Sequence, residues 1–447
     1  MKRIRNLSEG KFLMLLFGFF TAAFAIAAVC MPDRNTMFAG FWNILTSTAK
    51  ISTNYFSVGG YAGTFLNMAL VALCSMLLFL VFKGTPNNVS TLGFLLTLGF
   101  GSWGINVLNI WPTVLGVILY GLVKREKLGS LVNAMLFSTG IAPLISELLL
   151  RYPSTEYIGF NWAGLGLAMG VGLLIGFFLP AGLAHSPKVH KGFDLYSAAL
   201  PIGMTAFLLN ATLFNTMGLK VDDLAASGSM AVASQMTVNI FCGIVFGLCV
   251  IFAFLLGCRP KDYWQLLKDP ALVTNFSSTY GNATFLMNVG VFGLFILGYY
   301  NLIGASFNGV TFGIVFCMLA TCNSGSHPAN VLPIMLGYAV ASFVCGWLAP
   351  LTGGNFTLTI NAQAICVGLC YANGLSPIAD KYGWRYGFFA AVLHYLLVTS
   401  VPKLHGGFCL YNGGFTAALI CMMLVPELER FFRTKEERKA RRLQKQV

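Results

Sequence analysis

The stretch PKVHKGFDLY at residues 187–196 returns almost unchanged as PKLHGGFCLY at residues 402–411. Other short matches keep the same order along the chain at a nearly constant spacing. They join Gly104, Asn109, Pro112 and Gly116 to Gly325, Asn330, Pro333 and Gly337, and Gly140, Pro143, Arg151 and Tyr152 to Gly374, Pro377, Arg385 and Tyr386. Self-similarity at a fixed spacing is typical of an internal duplication. The sequence therefore predicts two structural repeats.

The composition is that of a protein solvated by lipid. Hydrophobic residues make up 57% of the 447 residues and charged residues 10%, against about 25% charged in a typical soluble domain. Residues 271–379 contain no Asp, Glu, Lys or Arg, a run of 109 residues. A run of that length without charge excludes an ordinary soluble fold and predicts an all-α polytopic membrane protein.

The net charge of +13 is concentrated toward the two ends of the chain. Basic residues precede the first apolar segment at residues 12–30, which we interpret as a retained span, and the tail from Glu427 mixes basic with acidic residues. The positive-inside rule predicts that both termini lie in the cytoplasm, at a bacterial inner membrane. The mixed charge of the tail favours contact with lipid headgroups over binding of nucleic acid.

Apolar segments separated by charged loops predict either five or seven crossings in each half, or 10–14 transmembrane segments in total. Because both numbers are odd, the second copy would be upside down relative to the first. We therefore expect two inverted-topology repeats with interrupted or re-entrant helices. The expected boundaries are 1–225 for the N-terminal repeat, 226–430 for the inverted C-terminal repeat and 431–447 for a basic cytoplasmic tail.

The apolar segment at residues 89–103 is too short to cross a bilayer. Fifteen residues of helix are about 22 Å long, whereas the hydrocarbon core is about 30 Å thick. The segment and its copy each end in a polar stretch with a Gly, so these two elbows are expected to lie in protein or line a wet cavity. Helices that restart near Asn109 and Asn330 would present free N–H groups, which favour an anion or a hydrogen-bond acceptor. Capping of these helices is the structural alternative.

The elbows are therefore the predicted substrate-binding site. Its residues are Ser102, Asn106 and Asn109 in the first half and Asn323, Ser324, Ser326, His327 and Asn330 in the second. Polar strips at near-helical spacing add Thr64, Asn282 and Thr284, with hydrogen bonding between helices as the alternative role. Structural roles in the repeat are assigned to Gly104, Pro112, Gly325, Pro333, His190 and His405. The stretch around each His is predicted to form a shaped turn.

The acidic residues limit the mechanism. Glu147, Asp194 and Asp380 are the carboxylates closest to apolar spans, and each falls at a predicted span end. Because a proton-driven symporter usually has an acid or a His inside the membrane, facilitated diffusion or sodium coupling through neutral oxygen ligands fits better. The twelve Cys are scattered without metal-ligand spacing, so no metal or other cofactor is expected.

Together these patterns favour a transporter or channel that moves a small polar or anionic solute through a site between the two repeats. The lipid bilayer and the solute are the expected partners, nucleic acid is not, and sodium and a second copy of the chain stay open. A membrane-embedded enzyme using His327, His190 or His405 is the alternative, although no nucleophile, base and orienting group lie at readable spacing. A non-transporting scaffold or sensor is the second alternative.

Three stretches carry a resemblance to a known family: TYGNATFLMN at 279–288, GSHPANVLPIMLG at 325–337 and HGGFCLYN at 405–412. They resemble an uncharacterised family of bacterial multi-span membrane proteins, known as a domain of unknown function, over nearly the whole chain. The resemblance implies no activity. In architecture alone, the predicted repeat is similar to urea channels and to nucleobase and sulfate permeases, whose signature motifs are absent from this sequence.

Overall fold

The computed structural model describes residues 2–154, 156–218, 233–269 and 274–444. Within these ranges the chain is helical and contains no β-strand. Helices long and apolar enough to cross a membrane are Glu9–Cys30, Tyr55–Val81, Leu128–Arg151, Trp162–His190, Ser234–Leu255, Phe276–Leu302 and Pro328–Thr352. The chain is therefore an all-α polytopic membrane protein, as predicted. The expected repeat boundary between 225 and 226 lies outside the described residues.

The helices of the first half follow a short turn of helix at Lys2–Arg5. They are α1 (Glu9–Cys30), α2 (Met37–Leu45), α3 (Tyr55–Val81), α4 (Asn88–Phe100), α5 (Trp111–Lys124), α6 (Val132–Ser138), α7 (Ala142–Arg151), α8 (Trp162–His190) and α9 (Ala199–Leu209). A π-helical stretch at Asn210–Thr216 follows α9.

The helices of the second half follow in the same order. They are α10 (Ala233–Leu255), α11 (Pro260–Leu266), α12 (Phe276–Leu302), α13 (Gly309–Leu319), α14 (Pro328–Leu348), α15 (Gln363–Ala372), α16 (Ser376–Tyr382), α17 (Trp384–Val398) and α18 (Asn412–Phe431). A turn of helix at Val401–Leu404 precedes α18, and α19 (Lys435–Gln444) lies in the predicted tail. Each half therefore pairs element by element with the other, from α1 with α10 to α9 with α18.

Equivalent helices in the two halves begin and bend in the same way. Asn87 and Asn308 each close a capping box at the start of α4 and of α13, which satisfies N–H groups that would otherwise be left in the apolar interior. The backbone of α3 breaks at Gly60, where φ is 68°, and that of α12 breaks at Gly281, where φ is 79°. Glycine is required at these two breaks because other residues rarely adopt this conformation.

The two halves exchange reciprocal backbone hydrogen bonds. Leu195 N donates to Gly374 O over 3.1 Å, and the equivalent Leu410 N donates to Gly140 O over 2.9 Å. The neighbouring tyrosines pack the same way, because a Cβ on Gly140 would clash with the Tyr411 ring and one on Gly374 would clash with the Tyr196 ring. Reciprocal contacts of this kind are those expected of two halves related by an approximate two-fold rotation.

The short helices α4 and α13 pack against each other at the centre of the molecule, and nearly all of their side chains are buried. Asn323 contacts Thr91 near the start of α4, whereas Ser102 contacts Gly309 after its end. Contacts that run in opposite chain directions make the two helices antiparallel. The 13 residues of α4 extend about 20 Å, shorter than the hydrocarbon core. The inverted orientation of the repeats across a membrane stays a prediction.

One end of the molecule carries most of the basic loops and is called the basic end here. It is defined by Lys83, Lys124, Lys127, Lys188 and Lys191, which follow or precede the helix ends on that side. Gly129 packs against the backbone of Phe82 and Lys83, and the Lys191 ammonium contacts the Glu429 carboxylate near the end of α18. The start of α1 lies there as well, because a Cβ on Gly10 would meet Thr85 at 2.8 Å.

Candidate functional site

Each elbow is held by an asparagine from a preceding long helix. Asn67 Nδ2 in α3 donates to Gly101 O and Ile105 O over 2.7 and 2.8 Å. Asn288 Nδ2 in α12 donates to the equivalent carbonyls of Cys322 and Ser326 over 2.9 and 3.0 Å. Carbonyl groups that the broken helices leave unpaired are therefore satisfied by side chains. This explains how irregular backbone is tolerated inside an apolar protein.

Asn109 and Asn330 also bond within their elbows. Asn109 Nδ2 donates to Gly104 O over 2.9 Å and to Ser146 Oγ over 3.0 Å. Asn330 Nδ2 donates to Gly325 O over 2.9 Å and to the Asp380 carboxylate over 2.7 Å. The amide groups of both side chains therefore stabilise the local fold, and their predicted role in binding a solute stays a prediction.

The helices after the elbows begin close to the predicted positions but with different caps. Helix α5 begins at Trp111, and α14 begins at Pro328 with His327 as its N-terminal cap. His327 Nδ1 accepts from Asn330 N over 3.4 Å, while Asn330 Oδ1 accepts from His327 N over 3.0 Å. The imidazole acts here as the acceptor that Ser or Asp usually supplies.

The other predicted elbow residues are placed as follows. Ser102 Oγ lies 2.6 Å from Gly309 O, and Asn106 Oδ1 accepts from Asn109 N over 3.0 Å. Asn323 Oδ1 accepts from Ser277 N over 2.9 Å, and Ser326 Oγ donates to Asn373 Oδ1 over 2.8 Å. Ser324 is half-buried and lines a cavity described below.

The structure does not bring the two elbows together. The elbow at 102–109 lies beside the start of α13, and the elbow at 323–330 lies beside the start of α4. Because α4 and α13 are antiparallel, the elbows sit at opposite ends of this pair, about one α4 length or 20 Å apart. A solute of small size can contact only one elbow at a time.

The polar strips also meet neighbouring backbone. Thr64 Oγ1 donates to Gly60 O over 2.6 Å, at the break in α3. Asn282 Nδ2 donates to Leu7 O over 2.9 Å and so ties α12 to the N-terminal segment. Thr284 is buried in α12. These contacts agree with the structural alternative of hydrogen bonding between helices.

The Gly and Pro residues of the repeat occupy tightly packed positions. A Cβ on Gly104 would lie 2.8 Å from a Leu410 methyl group, and Gly325 has a φ of 131°. Pro112 lies in the first turn of α5, where its missing N–H costs no hydrogen bond, whereas Pro333 lies inside α14.

The stretches around His190 and His405 turn later than predicted. Helix α8 continues through Pro187 and ends at His190, so the first four residues of PKVHKGFDLY are helical. The chain reverses at the following pair, where Lys191 and Gly192 both have positive φ, as do Gly406 and Gly407. A left-handed pair reverses the chain direction, which places the turn after each His.

The two histidines have different surroundings. His190 Nε2 lies 2.8 Å from Ser197 Oγ, and its Nδ1 accepts from Asp194 N over 3.3 Å. The ring of His405 packs against Phe415, and neither of its nitrogens has a hydrogen-bond partner among the described residues. The duplication has therefore kept the imidazole in both copies but its polar contacts in only one.

A cavity of about 380 Å³ opens at the basic end and reaches the second elbow. It is lined by the starts of α4 and α6, the end of α8 and the segment 195–198, all from the first half, and by Ser324 from the second. Its polar lining residues are Ser130, Asn133, Ser197 and Ser324. Ser197 directly follows the repeated decapeptide. It lines the cavity, although it was not among the site residues predicted from the sequence.

The other half has larger side chains at two positions that are equivalent to residues lining this cavity. Trp103 stands where the second elbow has Ser324, and Tyr371 stands where the first half has Phe137. Both rings are fully buried, and a Cβ on Gly413 would lie 2.7 Å from the Tyr371 ring. The lining serine of the second elbow is therefore matched by a buried indole ring in the first.

A family model described as protein of unknown function (DUF1576) matches residues 33–215 and 259–430. The chain belongs to this DUF1576 family. The two matched stretches fall one in each half of the molecule, as the resemblance over nearly the whole chain predicted. No curated protein and no solved structure matches the chain.

A buried polar network in this DUF1576 chain joins the halves near the second elbow. Asn373 Oδ1 accepts from Thr321 Oγ1 over 3.0 Å and from Ser326 Oγ over 2.8 Å, and its Nδ2 donates to Met318 O over 2.7 Å. Tyr196 OH from the first half lies 2.8 Å from Cys317 O. Asn373 is not among the site residues predicted from the sequence.

Replacing Tyr196 with Phe should destabilise the protein more than the same change at the equivalent Tyr411. Tyr196 OH contacts Cys317 O and Cys370 O, whereas Tyr411 OH is buried without a hydrogen-bond partner among the described residues. We expect Tyr196→Phe to lower the free energy of unfolding by about 1–3 kcal/mol and Tyr411→Phe to leave it unchanged or slightly raised. Thermal unfolding in detergent measures both, and equal losses would contradict the assignment of these contacts.

Proposed function

We propose that this chain is a transporter or channel that moves a small polar or anionic solute across a bacterial inner membrane, through a site between two inverted repeats. The observation that carries the proposal is the cavity at the basic end. Both halves line it, it ends at an interrupted helix, and the larger buried rings of Trp103 and Tyr371 stand at equivalent positions of the other half. A site open at one end and closed at the other is what alternating access between two repeats requires.

The antiparallel packing of α4 and α13 supports the inverted relation of the repeats. These helices are equivalent in the two halves, so an antiparallel pair implies a two-fold axis perpendicular to them. The repeated motif supports the same relation, because Lys191 contacts Glu429 at the basic end while Gly407 O accepts from Ile51 N over 2.9 Å at the other. Helices standing across a membrane would place that axis in the membrane plane.

The basic end would face the cytoplasm under the positive-inside rule. Both the start of α1 and the end of α18 lie at this end, so both termini would be cytoplasmic. No Asp, Glu, Lys or Arg is among the described residues that line the cavity. A neutral lining agrees with facilitated diffusion, or with sodium coupling through hydroxyl and carbonyl oxygens, and not with a carboxylate relay.

Solute flux into proteoliposomes tests the proposal. Purified protein would be reconstituted and offered labelled glycerol, urea, acetate, lactate and succinate, with ethanolamine as a cationic comparison. Each would be measured with and without an imposed sodium gradient. We expect uptake of at least one polar or anionic solute above that of protein-free vesicles, and sodium dependence would identify a coupled carrier. Uptake no higher than in protein-free vesicles for every solute would contradict transport.

A further inference from the structure

We propose that Ser197 and Ser324 both donate hydrogen bonds to a small anionic solute in this cavity, an inference that rests on the transport function proposed above. The two serines come from different halves of the molecule and line the same cavity at the basic end. Because the two hydroxyls come from different halves, a relative movement of the halves would change the distance between them.

His190 fixes the direction of the hydrogen bond at Ser197. Its Nδ1 accepts the backbone N–H of Asp194 over 3.3 Å, so the proton of the neutral ring is on Nε2. The Nε2–H group then donates to Ser197 Oγ over 2.8 Å. The Ser197 hydroxyl proton has no acceptor among the described residues, and it is left to donate toward the cavity.

The same geometry argues against a catalytic role for this pair. A serine nucleophile needs the imidazole nitrogen beside it to accept the hydroxyl proton, with the other nitrogen donating to an orienting acceptor. Here the second nitrogen, Nδ1, accepts from the backbone N–H of Asp194. Both hydrogen bonds of the ring therefore run in the opposite direction to those of a catalytic pair. His190 is therefore a positioning residue that makes Ser197 a hydrogen-bond donor.

Ser324 supplies the second hydroxyl. Its backbone N–H donates to Thr321 O over 2.9 Å and fixes the residue in the elbow, while its side chain lines the cavity with no hydrogen-bond partner among the described residues. Two hydroxyl donors that converge on one cavity are suited to an oxygen acceptor. A cation would need hydrogen-bond or ligand acceptors, and the Ser197 oxygen already accepts a hydrogen bond from His190.

The charge around the cavity favours an anion over a neutral acceptor. No acidic side chain is among the described residues that line it, Pro187 directly precedes Lys188, and Ser130 follows Lys127 by three residues. Ala198, the residue before α9, also lines the cavity, so the positive end of that helix dipole borders the same space. Positive charge at the entrance of a neutral cavity raises the local concentration of anions.

The equivalent position in the other half has lost both hydroxyls. Asn412 replaces Ser197 and donates to Cys409 O over 3.1 Å, and Trp103 replaces Ser324. Among the described residues, the pair of serines proposed to bind the anion is therefore not repeated at the equivalent position of the other half.

Cysteine labelling tests this inference without knowledge of the natural solute. Reporters Ser197→Cys and Ser324→Cys would be built in a full-length background carrying Cys30→Ser, Cys74→Ser and Cys345→Ser, which removes the cysteines that are not buried. The probes are sulfonatoethyl and trimethylammonium-ethyl methanethiosulfonate. Each rate would be divided by the rate of the same reagent with 2-mercaptoethanol.

We expect both reporters to react, with a normalised preference for the sulfonate of about tenfold. In the Ser324→Cys reporter, adding Ser197→Ala should lower this preference, whereas the matched control Ser130→Ala should leave it unchanged, because the Ser130 hydroxyl already donates to Lys127 O over 2.7 Å. Equal rates for both probes, a preference for the cation, or no reaction at either cysteine would overturn the inference.

Two further results separate this inference from others. Labelling of wild-type Ser197 by a fluorophosphonate would show a nucleophile and would also overturn it. Because the thiol reactions do not need flux, a preserved sulfonate preference in protein that moves no solute would retain the anion site and remove only the transport function. Solute flux in protein that shows no sulfonate preference would retain the transport function and remove the anion site.

Discussion

Gly313→Leu is expected to prevent α4 and α13 from packing and to leave little folded protein. A Cβ at Gly313 would lie 2.4 Å from Gly99 O and 2.5 Å from Ser102 Oγ. Neither helix can move away freely, because nearly all residues of both helices are buried. Overpacking of a closed core costs about 1–3 kcal/mol, and a leucine against backbone atoms lies at the upper end or beyond.

The yield of monodisperse protein and its melting temperature after detergent extraction measure this effect. Gly298→Ala in α12 is the matched control, because nothing lies within 4 Å of a Cβ built there. We expect the control to fold like the wild type or with slightly higher stability, since alanine favours a helix over glycine. Normal folding of Gly313→Leu would show that the central pair is not closely packed.

Ser324→Trp is expected to close the cavity and abolish solute flux while the protein stays folded. The change gives the second elbow the residue that the first elbow has at its equivalent position, Trp103, which is fully buried. The indole would enter the existing cavity of about 380 Å³, so little repacking of backbone is needed. The loss of function would thus come from filling space and not from unfolding.

Two measurements check the closure. The labelling rate of the Ser197→Cys reporter should fall by about tenfold or more when Ser324→Trp is added, because a filled cavity excludes the reagent. Any solute that enters wild-type proteoliposomes should no longer enter. Ser400→Trp, at an exposed position after α17, is the control for adding a large aromatic residue. Unchanged labelling and flux in Ser324→Trp would place the pathway elsewhere.

The sequence predicted the short central helix because length is a one-dimensional property. An apolar run that is too short for the bilayer stays too short in any fold, and α4 has 13 residues. The position of the elbows was not predictable in the same way. Their separation depends on α4 and α13 packing antiparallel, which is fixed by the close approach of Gly99 and Gly313, two glycines that are not equivalent in the repeat.

The roles of polar residues were predictable only in part. The sequence showed that Asn109 and Asn330 sit at helix restarts, but both a solute site and a structural role were consistent with that pattern. The tertiary structure supplies hydrogen-bond acceptors for both side chains, which supports the structural role. Gly104 O and Gly325 O lie 2.9 Å from the two amide groups. Ser197 was overlooked because a single serine beside an apolar helix has no periodicity that distinguishes it.

The sequence by itself determined that this is a duplicated, lipid-solvated helical protein, because composition and repeated order survive any arrangement in space. Only the tertiary structure decided which polar groups are already bonded and which face a cavity. The physical reason is that hydrogen-bond partners such as Leu195 with Gly374 and His190 with Ser197 are chosen by packing between segments. Two halves with matching motifs therefore share their order of helices and still differ in side chains, as where Ser324 lines a cavity and the equivalent Trp103 is fully buried.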